Sequence, residues 1–225
     1  MRAALAFLTP IGGARVPTPA ALPWFPPVGA LVGAGVAGAW WVGTELWNPA
    51  VGAALAIVVD LALTGMLHVD GLADSADGLL PHLPPERRLE VMSAPDVGAF
   101  GVAATAAVLL LRFAVLATME VEVWLVVGLW ASTRAAAAMA VLSMPYARSD
   151  GLVTAFRGRS PIAVVAAVLA YAALTTADVW AVIGLAIGFL AVVLLAVRRV
   201  GGYTGDVLGA GIVLGETLGL LAASA

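Results

Sequence analysis

The chain has no cysteine and no lysine. The first absence excludes disulfides, thiolate metal ligands and a thiol nucleophile. The second leaves arginine to supply all 11 positive charges. Charge of either sign is scarce: Asp, Glu, Lys and Arg together make up 11% of 225 residues, whereas a soluble domain carries about 25%. The net charge of −3 says little in such a chain, and no nucleic-acid partner is expected. What is present is apolar. Hydrophobic residues make up 62% of the sequence and the mean hydropathy is +1.04. The apolar runs are continuous rather than alternating, which excludes a lipid-facing β-barrel and indicates an all-α integral membrane protein. The stretch Met1–Leu8, ended by Thr9, Pro10 and two glycines, is too short for the apolar region of a cleaved signal, and no A-x-A site follows.

Segments of about 17–21 apolar residues can cross a bilayer core. About seven are expected, at 28–44, 50–68, 98–118, 122–142, 161–177, 179–197 and 206–224, in a single membrane domain over 1–225. Five spans with re-entrant pieces is the competing count. Residues 10–27, rich in Pro and Gly, read as an irregular entry loop, and Pro84-Pro85-Glu86 as the start of a short helix. Arginine placement tests the assignment. Arg2, Arg15, Arg87, Arg88, Arg148, Arg157, Arg159, Arg198 and Arg199 all fall on one side, whereas Glu45, Glu120, Glu122 and Asp178 fall on the other. The positive-inside rule makes the arginine side cytoplasmic, and with it the N-terminus and the polar segments 68–96, 145–159 and 198–206. Small residues four apart, as in Gly29/Gly33, Gly184/Gly188 and Gly211/Gly215/Gly219, predict close helix packing and no chemistry.

The chemistry is expected in the polar segments. Residues 68–78 read His-Val-Asp-Gly-Leu-Ala-Asp-Ser-Ala-Asp-Gly. Asp70, Asp74 and Asp77 share one helix face, within roughly 60° of one another. Like charges that close repel and raise one another's pKa values. A divalent cation reverses that, and hard oxygen donors suit Mg²⁺. His68, on the opposite face, is a candidate for polarising a phosphate. A second group is Pro145-Tyr146-Ala147-Arg148, in which Arg148 offers planar donors to phosphate oxygens. A third is Gly201-Gly202-Tyr203-Thr204-Gly205-Asp206, before the last span, where backbone N–H groups can approach an anion. Asp206 is either a further metal ligand or a helix cap. Inside the membrane, Asp60, Arg112, Arg134 and Glu216 are functional candidates by default. They read as ion pairs on the floor of a cytoplasm-facing cavity or, equally well, as packing pairs, with Arg112 deeper than the other three.

Together these pieces resemble the cobalamin (5′-phosphate) synthase family, also called adenosylcobinamide-GDP ribazoletransferases, along nearly the whole chain. The matching residues are Ala-Leu-Ala-Phe-Leu-Thr near the start, Phe-Pro-Pro-Val-Gly at 25–29, the block His68–Gly78, Arg88–Met92, Val97–Gly101, Pro145–Arg148 and Gly201–Ala210. The block at 68–78 is highly specific. The pattern departs at Ala94-Pro95-Asp96, where the family often has Asp-Ser-Arg. The resemblance implies a bacterial or archaeal cytoplasmic-membrane transferase. A ribose hydroxyl of α-ribazole, or of its 5′-phosphate, attacks the cobinamide-linked phosphorus of adenosylcobinamide-GDP, and GMP leaves. Asp70, Asp74 and Asp77 would hold Mg²⁺, and Asp77 would accept the proton. Asp74 and His68 would assist catalysis. Arg148, Tyr146, Gly201, Gly202, Thr204, Asp206, Arg134 and Glu216 would bind substrate. Lipid surrounds the protein, and a homo-oligomer is compatible with all of this. The competing readings are a CDP-alcohol phosphotransferase, which needs D-G-x-x-A-R, and a small transporter, which needs inverted halves. Neither signature is present.

Overall fold

A computed structural model describes the chain apart from residues 12, 14–17, 149–155 and 157–159. Arg15, Arg157 and Arg159 therefore lie outside the described residues. The described chain is helical: α1 (Arg2–Leu8), a 3-10 turn (Pro19–Trp24), α2 (Phe25–Leu46), α3 (Pro49–Thr64), α4 (Leu67–Leu79), α5 (Pro85–Val91), α6 (Ala99–Thr118), α7 (Val123–Ser143), α8 (Pro161–Ala177), α9 (Val179–Val200) and α10 (Gly205–Ala223). Among the described residues, five helices are long and apolar enough to cross a membrane: α2 with the 3-10 turn before it, α6, α7, α9 and α10. A sixth span results if α3 and α4 are taken together.

The expected count of seven is reduced at two places. The run 50–68 does not continue as one helix. It stops at Thr64, where Gly65 takes a left-handed conformation with φ 58° and caps α3, as glycine does at many helix ends. Met66 follows at φ 61°. Two left-handed residues in succession redirect the chain, and α4 leaves at 90° to α3. The other place is 161–177, which forms α8 with the expected bounds; at 17 residues it is shorter than those five helices. Part of the expected entry loop is also helical, since Pro19–Trp24 form the 3-10 turn and α2 begins at Phe25.

The glycine pairs pack helices, as their spacing predicts. Gly29 and Gly33 press α2 onto the backbone of α7 at Trp130 and Val126, and Gly184 and Gly188 press α9 onto α10 at Leu218 and Leu214. α10 is the hub, packing on α9, α4, α7 and α6. The four intramembrane charges meet between α3, α6, α7 and α10. Arg112 donates to Asp60 (2.7 Å) and to Glu216 (3.0 Å), Arg134 donates to Glu216, and the Trp130 indole donates to Asp60 (2.9 Å). Two cations and two anions cancel, and Thr217 and the Val213 carbonyl accept further guanidinium N–H groups. Burying such groups is tolerable only when they are paired and hydrogen-bonded in this way. Arg112, expected to lie deeper, reaches the same level through its long side chain.

Candidate active site

The three polar segments converge at one end of the bundle. Residues 145–147 run alongside Tyr203: the Tyr203 N–H donates to the Pro145 carbonyl (3.0 Å) and the Ala147 N–H donates to the Tyr203 carbonyl (2.9 Å). The Tyr146 and Tyr203 rings stack edge-on at 5.3 Å. Gly202 permits the approach, because a Cβ there would collide with the Pro145 carbonyl. Gly71 of α4 lies against the backbone of Asp206, where a Cβ would come within 2.7 Å of the carbonyl oxygen. Arg199 donates to the Pro81 carbonyl (3.3 Å), tying the end of α9 to the segment after α4. The motifs far apart in sequence thus form one surface.

Four carboxylates gather there. Asp70 is exposed and Asp74 half-buried, and both lie on α4 beside Asp206 of α10. Burial, and then the carboxylates of Asp206, Asp70 and Asp77, push the Asp74 pKa up to about 7, against an opposing pull from Arg148. The repulsion expected from spacing thus acts at Asp74, second to burial. Asp206 accepts from Arg148 (3.2 Å) and from the Thr204 hydroxyl (3.1 Å), while Thr204 caps α10 through the Val207 N–H (3.3 Å). Among the described residues, the buried Nε of Arg148 has no hydrogen-bond partner.

Asp77 is placed differently from its two neighbours. It is 8% exposed. Its Oδ2 accepts the Gly98 N–H at 2.6 Å and its Oδ1 the Gly101 N–H at 2.9 Å. It caps the N-terminus of α6, where a carboxylate meets both unpaired N–H groups and the positive end of the helix dipole. A Cβ at Gly98 would come within 2.5 Å of Asp77 Oδ1, and one at Gly101 would collide with Oδ2. The Val97–Gly101 motif is thereby accounted for: its glycines make room for this carboxylate. Arg88 holds the other end of the segment. It is 6% exposed and donates to the carbonyls of Gly78 (2.8 Å) and Leu79 (3.0 Å) at the end of α4. Sequence reasoning missed both roles. The Gly98/Gly101 spacing at a helix start was the available signal for Asp77; for Arg88 there was none beyond its helix.

Other candidates lie deeper. His68 is 5% exposed and directs Nδ1 to Arg134 Nη2 at 3.4 Å. Arg134 and Glu216 are each 1% exposed and belong to the buried charge network. Gly201, at φ 80°, caps α9, and its neighbour Gly202 serves the close approach already described. A cavity of about 330 Å³ opens beside the carboxylates, with Asp70, Arg148, Asp206, Tyr146, His68 and Phe7 among its lining residues.

Among the described residues, no three of His, Asp and Glu converge tightly enough to enclose a metal ion. Mg²⁺ rarely requires such an enclosure. It is commonly held by one or two carboxylates plus substrate phosphates and keeps several waters. The donor set, all oxygen and repelling in the absence of a cation, fits that mode through one or two of Asp70, Asp74 and Asp206.

A profile of the cobalamin-5-phosphate synthase family matches residues 1–224. Among curated proteins, the chain is similar to an adenosylcobinamide-GDP ribazoletransferase of Bradyrhizobium diazoefficiens, with 36% identity covering 100% of this chain and 93% of that protein. It is also similar to proteins of the same name from Desulfitobacterium hafniense, at 35% identity over 89% of this chain and 84% of that one, and Deinococcus radiodurans, at 38% over 96% and 81%. No solved structure matches.

Proposed function

The chain belongs to the cobalamin-5-phosphate synthase family, and on that footing we propose that it is an adenosylcobinamide-GDP ribazoletransferase. The observation that carries the reading is the meeting of the Asp70/Asp74/Asp206 cluster with Arg148 at one end of a membrane bundle. Phosphoryl transfer to an alcohol depends on positioning and charge neutralisation more than on covalent chemistry by the protein. A ribose hydroxyl of α-ribazole, or of its 5′-phosphate, forms a P–O bond to the cobinamide-linked phosphorus. The bond from that phosphorus to GMP breaks, and GMP leaves with its electron pair. The Arg148 guanidinium, held beside the cluster by Asp206, holds phosphate oxygens.

Asp74 accepts the proton of the attacking hydroxyl. It takes this role in place of Asp77, whose oxygens face the α6 N-terminus. A carboxylate that titrates at about 7 is matched to proton transfer near neutral pH. One or two of Asp70, Asp74 and Asp206 would hold Mg²⁺, which when bound would neutralise diphosphate charge. In this reading the site faces the cytoplasm, which the arginine distribution supports.

The test is a membrane or nanodisc assay with adenosylcobinamide-GDP, α-ribazole 5′-phosphate and Mg²⁺. The expected result is GMP release that needs all three. No GMP release under any condition would refute the proposal.

A further inference from the structure

α9 turns one apolar stripe outward. Trp180, Ile183, Ile187, Leu190, Leu194 and Arg198 follow at steps of three and four, and all six are exposed. That spacing places them on one side of the helix. The glycines of α9, Gly184 and Gly188, face the other way, against α10. Helices that associate within a membrane do so through small residues that let backbones approach. These six positions hold none, so lipid is the natural neighbour of the stripe. The ends of the stripe agree. At 22 residues, α9 is about 33 Å long, close to the ~30 Å of a hydrocarbon core. Trp180 then stands at one interface, where tryptophan is enriched, and Arg198 at headgroup depth at the other.

Positive charge accumulates at that second end. Arg198 makes no hydrogen bond or ion pair among the described residues. Its neighbour Arg199 donates to the Pro81 carbonyl (3.3 Å), and Arg88 of α5 donates to the carbonyls of Gly78 and Leu79. Arginines from two helices thus take the carbonyls at the end of α4. Burial, and then the like charge of Arg199, lower the Arg88 pKa. Among the described residues no carboxylate pairs with any of the three. Glu86 and Glu90 each stand two residues from Arg88, about 200° round α5, and Glu90 pairs with Arg87. The C-terminal ends of α4 and α9 supply about half a negative charge each, which leaves about two of the three positive charges unanswered.

We propose that Arg198 and Arg199 hold the phosphate of an anionic phospholipid whose acyl chain lies along Leu194 and Leu190, and that the bound lipid steadies the end of α4 through Arg199. Arginine donors match phosphate oxygens. A guanidinium carries five N–H groups, so Arg199 can keep the Pro81 carbonyl while it meets a phosphate. Leu194 and Leu190 lie about one and two turns below Arg198, where the chain of a lipid held by its phosphate runs. α4 carries Asp70 and Asp74, so bilayer composition reaches the carboxylate cluster through the end of that helix.

The test uses the full chain in phosphatidylcholine nanodiscs, with or without phosphatidylglycerol. Native mass spectrometry reads lipid retention, and hydrogen exchange over residues 79–83 reads the motion of the α4 end. Wild-type protein is expected to retain phosphatidylglycerol selectively, and exchange at 79–83 is expected to slow when that lipid is present. Arg198→Gln, at a residue without a protein partner, should weaken retention about fivefold, the equivalent of about 1 kcal/mol per arginine near the surface. Arg198→Gln combined with Arg199→Gln should weaken it about 30-fold. Arg87→Gln removes an equal charge that Glu90 already answers, and should leave retention within about twofold. Equal losses in Arg87→Gln and Arg198→Gln, or equal retention of the two lipids by wild-type protein, overturn the site. Soluble glycerol phosphate that displaces phosphatidylglycerol assigns the arginines to a soluble anion and overturns the lipid reading. Exchange at 79–83 indifferent to phosphatidylglycerol overturns the coupling to α4. None of these readouts involves turnover, so a failure of the transferase reading leaves them decisive.

Discussion

Asp77 offers the sharpest separation between holding the site together and acting in it. Replacing it with alanine removes two charge-assisted hydrogen bonds, at 2.6 and 2.9 Å, from the first turn of α6. Hydrogen bonds to charged groups contribute about 1.5–3 kcal/mol each, and loss of a helix cap costs about 0.5–2 kcal/mol. Gly98 is exposed, so its freed N–H can be rehydrated. The net loss is placed at about 2–4 kcal/mol, near the lower sum. For a chain of this size that corresponds to a Tm drop of roughly 4–16 °C. Asp77→Asn keeps one acceptor but turns an amide N–H₂ toward a backbone donor, and about half the loss is expected. Gly101→Ala should resemble the alanine variant, since its Cβ would collide with Asp77 Oδ2. Asp70→Asn is the control. Asp70 is exposed, and removing one of four clustered charges should leave Tm unchanged or raised while turnover collapses. The assay is thermal unfolding in detergent beside GMP release. Asp77→Ala with wild-type Tm would refute the capping argument.

Three further outcomes follow from the same geometry. The Asp74 carboxyl must be ionised to hold a cation, and its pKa is raised to about 7. The Mg²⁺ concentration for half-maximal GMP release should therefore rise as pH falls below 7, by up to tenfold per unit, and level off above it. In the absence of a cation the sign for folding is opposite. A carboxyl raised above its unfolded value loses stability as pH climbs from about 4 to 7, and added Mg²⁺ should restore Tm most at the upper end. Glu216→Leu leaves Arg112 and Arg134 short of their shared acceptor and should cost about 3–5 kcal/mol, while adding Arg134→Met should recover part of it; folded yield and Tm report both. Arg148→Lys keeps the charge but loses the planar fork. It should lower kcat/KM about 10- to 100-fold with Tm unchanged, because Arg148 is one-quarter exposed.

Much of this was legible in the sequence, and the exceptions have physical causes. Helix positions followed from apolar length: 161–177 reappears as Pro161–Ala177, and the remaining long runs shift by a few residues. The break after Thr64 did not show, because apolar composition continues through Leu67 and only the φ of Gly65 and Met66 ends the helix. The convergence of 68–78, 145–148 and 201–206 was foreseeable from arginine topology, but not the backbone pairing that joins Tyr146 to Tyr203. Spacing alone gave Asp70, Asp74 and Asp77 one role. Tertiary contact divided them, since α6 approaches only the last. The pairing of the intramembrane charges followed from depth for three of them, while Arg112 needed the reach of its side chain.

The hub position of α10 has a consequence for how the protein is made. This helix supplies Glu216 to the buried network and Asp206 to the cluster at its end, and it leaves the ribosome after the other described helices. Until it arrives, Arg112 and Arg134 face a single anion, Asp60, and the inserted part of the chain carries one uncompensated positive charge. The same insertion event neutralises the interior and completes the surface around Asp70 and Asp74. A chain stalled before residue 205 would lack both the anion that balances the interior and the carboxylate that completes the cluster.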